Sequence, residues 1–308
     1  MTLLGPTSTS ELGTLACPRK YMYRYGRKLA PKRPNTNMAM GTFWHQCAAA
    51  GYKAGDRKQW LSAALAESRT PDPIDRDGIP LGLEEENIDA VRDMLCYYWE
   101  HQGRFDEFEE ILIVDEERYF EFAGWSIRFT IDLAVKMHGK LILFDHKTSG
   151  DISGDRAYLP IDLQTHLYYY GAWKTFERPA EFIHNWVRRF DFTSDQRVGP
   201  PSWARLDGSK PYLHTKSGKV ATRSDEVGDY VQRDRTPLQE SQLRAFEDEL
   251  TAQLQTLRFH QISDQWPRYG QKLATGCSNC PYYAVCSTEM DGNPVNQMAL
   301  DMAFVKLP

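Results

Sequence analysis

GWSIRFTIDLAVKMHGKLILFDHKT, residues 124–148, decides the fold. Two runs rich in β-branched and aromatic residues flank His138-Gly139, which supplies a turn. The stretch reads as a hairpin of two strands, Trp125 to Met137 and Lys140 to Thr148. Each strand carries a carboxylate in an otherwise apolar run, Asp132 in the first and Asp145 at the end of the second. A carboxylate there is costly unless it is paired or bound to a metal. Folding at Gly139 brings both to the same end of adjacent strands. Side chains alternate along a strand, so Asp145 and Lys147 share a face. His146 points the other way and offers that face only its backbone carbonyl. Two carboxylates and a lysine so placed meet the needs of metal-dependent phosphodiester cleavage. The carboxylates hold a divalent cation, and the lysine handles a water or the charge that builds on phosphorus.

Working outward, Ile111 to Glu121 reads as a preceding strand, and Leu163 to Phe176 as a following helix. Gln164 and Tyr168 are one turn apart on that helix and lie on one face. Gln164 is placed to bind a phosphate or position a water, and Tyr168 to stack on a base or brace the site. Glu181 to Phe192 reads as another strand. Upstream, Leu3 to Ala16 reads as a turn followed by a helix capped by Thr9 or Ser10. Asn37 to Ala54, Trp60 to Glu67 and Leu83 to His101 read as helices, and Thr70 to Pro80 as a proline-rich loop. The first of these helices carries His45, a candidate nitrogen ligand whose presence shifts metal preference toward Mn²⁺. Thr193 to Thr236 is polar and reads as an insertion on the core, with a hairpin around Ser217-Gly218. Pro237 to Phe259 reads as a helix with one apolar stripe. The order of elements implies a mixed α/β core, a sheet flanked by helices.

The chain has 308 residues, 26% charged and 41% hydrophobic, an ordinary globular composition. No apolar run spans a bilayer, and the first residues lack a basic stretch followed by an apolar one, so a cytoplasmic protein is expected. Net charge is -5, which gives no global attraction to nucleic acid. The segment from Arg19 to Arg33 is nevertheless basic without an acidic residue, and Tyr21, Tyr23 and Tyr25 interleave with its cations. Arg19, Arg24 and Arg27 would meet phosphates there and Tyr21 would stack on unpaired bases. Of six cysteines, Cys277, Cys280 and Cys286 crowd near the C-terminus and suggest a metal or cluster. Four thiolates suit zinc or a [4Fe–4S] cluster, and one remote plus three close ligands is unlike the two close pairs of structural zinc sites. Cys47 and Cys96, in helices, read as buried small hydrophobes.

Gly41-Thr42-Phe43-Trp44-His45, Ile131-Asp132, Asp145-His146-Lys147 and Gln164-Thr165-His166-Leu167-Tyr168 stand in the order and spacing of the RecB-like branch of the PD-(D/E)XK nuclease superfamily, which the chain resembles. Within that branch it is similar to members with an iron–sulfur cluster: the AddB C-terminal nuclease, CRISPR-associated adaptation nucleases and phage exonucleases. Phe129 replaces the usual glycine three before the aspartate, and His146 the usual apolar middle residue. The resemblance implies a restriction-endonuclease-like core sheet flanked by helices. It implies Mg²⁺ or Mn²⁺ on His45, Asp132, Asp145 and the His146 carbonyl, with Lys147, Gln164 and Tyr168 completing the catalytic set. It assigns Cys17 as the remote ligand of a [4Fe–4S] cluster that joins the two ends of the chain. The implied organisation is a single domain over 1–308. Its parts are a helical portion 1–110, a nuclease core 111–192, the insertion 193–236 and a helix with the cluster segment 237–308. The implied activity is DNA exonuclease action in recombination, repair or phage DNA processing, in a bacterial or phage-infected cell. A flap or junction endonuclease and a non-catalytic DNA-binding module are the competing readings.

Overall fold

The computed structural model describes residues 4–32, 35–189, 213–214, 220–221, 231–268, 277, 280–292, 295 and 297–307. In chain order the elements are β1 (Leu4–Ser8), α1 (Thr9–Thr14), α2 (Pro18–Tyr21) running into a π-helical turn (Met22–Gly26), and β2 (Leu29–Pro31). Next come α3 (Thr36–Lys53), α4 (Trp60–Glu67), α5 (Glu85–His101), β3 (Glu110–Phe122), β4 (Trp125–Met137) and β5 (Lys140–Ser149). They are followed by α6 (Ile152–Arg156), α7 (Leu163–Thr175), β6 (Glu181–Arg188), β7 (Leu213–His214), β8 (Val220–Ala221) and β9 (Val231–Thr236). The chain closes with α8 (Glu240–Ser263), α9 (Tyr283–Met290), α10 (Gln297–Ala303) and β10 (Phe304–Lys306). No helix among the described residues is long and apolar enough to cross a membrane.

The chain divides into two compact units. The larger comprises 35–118 and 129–238. Its sheet is mixed: β5 lies antiparallel to β4 and parallel to β6, β9 lies antiparallel on β6, and β3 pairs with β4. The parallel β5–β6 step requires a crossover, which α6 and α7 supply. One face is covered by α3 and α5, whose Phe43, Trp44, Cys47, Leu95 and Tyr98 meet Leu133, Phe144 and Ile183 in the main core, and α4 packs on these two helices. Helix α7 covers the other face, where Gly171 lies so close to Phe129 that an added Cβ would come within 2.9 Å of the ring. Asn35 caps α3 and Asp162 caps α7, each side chain accepting from an amide of the first turn.

The smaller unit comprises 1–34, 119–128 and 239–308. Here β1 runs parallel to the first residues of β4, and β2 pairs antiparallel with β10. Tyr23, Tyr282, Val285 and Phe304 form its core, with Cys280 and Cys286 packed against them. The two ends of the chain are thus joined by a β-ladder and an apolar cluster of their own.

Three expectations need correction. The turn before the first helix is β1, and the cap of α1 is Ser8, whose hydroxyl accepts from Glu11 N. The segment read as insertion ends in β9, a strand of the central sheet. The last long helix begins at Glu240 and runs to Ser263. The short strands β7 and β8 pair with each other, while Ser217-Gly218 and most of 190–230 lie outside the described residues.

Candidate active site

The β4–β5 ladder runs from Met137↔Lys140 to Leu133↔Phe144. Beyond it, the Asp132 side chain accepts from His146 N at 2.8 Å. Leu133 lies in the core with α3 and α5, whereas Phe129, of the same parity, packs on Tyr168 and Gly171 of α7. The alternation of β4 is therefore broken between them. In that broken stretch Asp132 Oδ2 comes to 3.3 Å from His45 Nδ1 on α3. Burial alone would raise the Asp132 carboxyl, but His45 and the His146 amide hold it well below the usual carboxylate range. Burial opposes protonation of His45, yet the Asp132 charge outweighs it and pushes the imidazole up.

Asp145 is 2% exposed. Its Oδ2 lies 3.0 Å from Lys147 Nζ, the cation it is paired with. Burial pushes the Asp145 carboxyl up to about 6; Lys147 opposes the shift and the Asp132 charge adds to it. Lys147 Nζ donates to Gln164 Oε1, and Gln164 Nε2 donates to the Tyr168 hydroxyl at 2.8 Å. Beneath Asp145, the ring of His184 lies 3.0 Å from Thr165 Oγ1, which itself donates to the capping carboxylate of Asp162. His45, Asp132, Asp145, Lys147, Gln164 and Tyr168 are thus gathered at one end of the β4–β5 pair. Two carboxylates so placed, with Lys147 and His45 as their cationic partners, are oxygen donors of the kind that could hold a divalent cation.

The His146 ring turns away from this group, into the aromatic core. It stacks on Tyr52 with centroids 5.5 Å apart and sits 5.3 Å from Trp44. Burial pushes it down to about 3, so it is neutral. Asn185 Nδ2 lies 3.3 Å from His146 Nδ1, which makes Nδ1 the acceptor. Asn185 also donates to the Tyr98 hydroxyl at 3.2 Å and accepts from Arg233 Nε at 2.7 Å. Arg233 grips Asp106 with both terminal nitrogens, at 2.6 and 3.0 Å. Sequence reasoning missed this support for the Asp145-His146-Lys147 strand. The available signal was Asn185 standing in the apolar run Phe182-Ile183-His184-Asn185-Trp186-Val187.

The basic segment lies in the smaller unit. Arg19, Arg27 and Arg268 surround Glu289 at 3.6, 2.8 and 3.7 Å, and the Tyr23 hydroxyl donates to it at 2.6 Å. Arg24 lies 5.9 Å from the Tyr25 ring. Tyr21 is 6% exposed and stacks on Trp266, so its ring is packed inside and not offered to a base. Cys17 stands at the cap of α2, and Cys280 N bonds to Cys277 O at 3.2 Å. Burial raises the Cys280 thiol, and the neighbouring Cys17 and Cys277 add to the shift. Among the described residues no three His, Cys, Asp or Glu side chains are drawn into metal-ligating geometry. Cys47 and Cys96 are buried.

Residues 6–287 match the PD-(D/E)XK nuclease superfamily. The chain belongs to that superfamily and is a nuclease. A crystal structure of a candidate exonuclease from Eubacterium rectale is similar in fold, with a TM-score of 0.51 and 11% identity; the match covers 88% of this chain and 87% of that one. A second crystal structure, SSO0001, matches with a TM-score of 0.33 and 15% identity over 91% of this chain and 85% of the other. No curated protein is similar to the chain in sequence.

Proposed function

We propose that this nuclease is a metal-dependent DNA exonuclease whose reaction centre is the group around Asp145. The observation that carries the reading is the gathering of two carboxylates, Asp145 paired with Lys147 and an ionised Asp132 beside His45, at one end of the β4–β5 pair. In donor type that set, with the His45 imidazole and the His146 carbonyl, suits Mg²⁺ or Mn²⁺. Such an ion, when bound, polarises a phosphodiester and acidifies water. Lys147, held by Asp145 and Gln164, stays protonated and offsets charge that develops on the phosphate oxygens. Gln164 fixes the lysine and is itself fixed by Tyr168, so the cation needs no reorganisation during reaction. Exonuclease action is favoured by the likeness in fold to the Eubacterium rectale protein.

A [4Fe–4S] cluster on Cys17, Cys277, Cys280 and Cys286 is part of the same proposal. The all-thiolate donor set supports it. Hydrolysis moves no electrons, so its role would be structural.

The test is a time course on end-labelled linear DNA and closed circular DNA with Mg²⁺ or Mn²⁺. Linear DNA should be degraded to short products, with Mn²⁺ at least matching Mg²⁺. Asp132→Ala, Asp145→Ala and Lys147→Ala should each lower the rate on the order of a hundredfold or more. Cutting of circles without dependence on ends would favour the endonuclease. Near-normal rates in all three variants would sink the assignment of these residues.

A further inference from the structure

The loop between α4 and α5 is itself a small hairpin. Ile74 pairs with Pro80, Gly78 N bonds to Asp75 O at 3.0 Å, and Asp75 Oδ1 accepts from the amides of Asp77 and Ile79 at 2.9 and 2.8 Å. It is pinned to α3 by Gln46, which follows His45 and donates to Ile74 O at 2.7 Å. At the tip stands Arg76, with a side chain 56% exposed. Its Nη1 donates to Thr130 Oγ1 at 2.7 Å, and its Nη2 pairs with Asp115 on β3. Thr130 lies two residues before Asp132 on β4. Burial, then the two aspartates, push the Tyr168 hydroxyl up, and Gln164 and then Arg76 oppose them.

An exposed ion pair adds little to stability. A guanidinium held by a rigid turn, one side-chain step from a reaction centre, is instead a preformed phosphate fork. Asp115 holds one terminal nitrogen of that guanidinium, Nη2, which a phosphate oxygen would take over. We propose that Arg76 grips a backbone phosphate of the DNA strand beside the one that is cleaved, exchanging Asp115 for it. This rests on the nuclease reading above. It adds a substrate contact that lies outside the family motifs.

Binding can be read apart from cleavage. Fluorescence anisotropy of labelled oligonucleotides in Ca²⁺, over a series of salt concentrations, would compare the full chain with Arg76→Ala, Arg76→Lys and Asp115→Ala. Turnover would be followed separately in Mg²⁺ and Mn²⁺. Arg76→Ala should weaken binding about tenfold and reduce the slope of log Kd against log salt by about 0.7–0.9, the share of one phosphate. KM should rise more than kcat falls. Arg76→Lys should keep most of the slope, because it keeps the charge and loses only the fork. Asp115→Ala should bind as tightly as the parent or tighter, since it removes the competitor. Unchanged affinity and slope in Arg76→Ala would overturn the proposal, as would an Asp115→Ala variant that loses binding as Arg76→Ala does. So would a parent chain that binds no DNA. A parent that binds but does not cleave would reject the nuclease reading and leave the Arg76 result to stand on the binding data.

Discussion

Asp132 and Asp145 are the same side chain on neighbouring strands, yet their surroundings drive the two carboxyls in opposite directions. Burial raises both, but at Asp132 His45 and the His146 amide outweigh it and the group is ionised, whereas at Asp145 Lys147 does not and the carboxyl is pushed up to about 6. His146 and His184 are pushed down to about 3 and about 4, burial being the first cause in both. An imidazole kept neutral by the fold contributes stability that is full above its ordinary value and is lost as pH falls through the window below about 6.5. Asp145 works the other way: its contribution is full below the ordinary carboxyl value and is lost as pH rises through about 6. Between about pH 4.5 and 6 these two imidazoles therefore oppose the raised carboxyls, Asp145 and, with burial as its first cause, Glu11, each full proton counting about 1.4 kcal/mol per pH unit. Asp145→Asn removes its opposing proton. In metal-free protein it should lose stability on acidification more steeply than the parent, by about one further proton. Chemical denaturation across that window measures the slope, and an unchanged or shallower slope in the variant rejects the assignment of a raised Asp145.

At the scale of elements, the placement of His45 depends on how closely α3 approaches the end of β5. A Cβ at Gly41 would meet Thr148 Oγ1 at 2.9 Å, so the glycine permits the contact. Gly41→Ala gains about 1 kcal/mol of helix propensity but overpacks a contact next to Lys147, a cost of about 1–3 kcal/mol. We expect a net loss of stability and slower cleavage, because the helix that carries His45 must shift. Adding Thr148→Ala removes the obstructing hydroxyl and should restore the denaturation midpoint. A single variant as stable and active as the parent would show that the approach is not limiting. The same scale explains which elements were readable. β4 and α4 match their expected bounds, Trp125–Met137 and Trp60–Glu67, because a turn or loop signal stands at each end. β1 was hidden by Gly5-Pro6, which disfavours a strand. β9 was hidden by Gln232-Arg233-Asp234-Arg235, charges that suit the last strand of a sheet and find partners in Asp106, Arg156 and Glu181.

For the molecule as a whole, the question is what the four cysteines add to ends that are already joined. β2 pairs with β10, the Tyr282 hydroxyl donates to Leu29 O at 2.6 Å, and Arg19 N bonds to Pro267 O at 3.2 Å. A cluster would tighten this union further, since a metal that binds only the folded state stabilises it. Replacing Cys17, Cys277, Cys280 or Cys286 by serine should therefore lower the thermal midpoint more than replacing Cys47 or Cys96. Anaerobically purified protein should contain iron and labile sulfide at about four each per chain. Stoichiometric zinc without sulfide would overturn the cluster and leave the stapling argument for zinc.

The sequence by itself determined the β4–β5 hairpin, the face shared by Asp145 and Lys147, and the helix face shared by Gln164 and Tyr168. These follow from local periodicity: two residues per strand repeat, and about one helical turn between Gln164 and Tyr168. Only the tertiary structure decided that β4 breaks its alternation at Asp132, that Asn185 and Arg233 support His146, and that Arg76 reaches Thr130. Only it decided that Tyr21 is packed inside and that Arg19 and Arg27 share Glu289. The reason is physical. Each of these depends on groups far apart in the chain whose burial and charge are fixed by packing, and local sequence carries no record of which distant partner will satisfy a polar side chain.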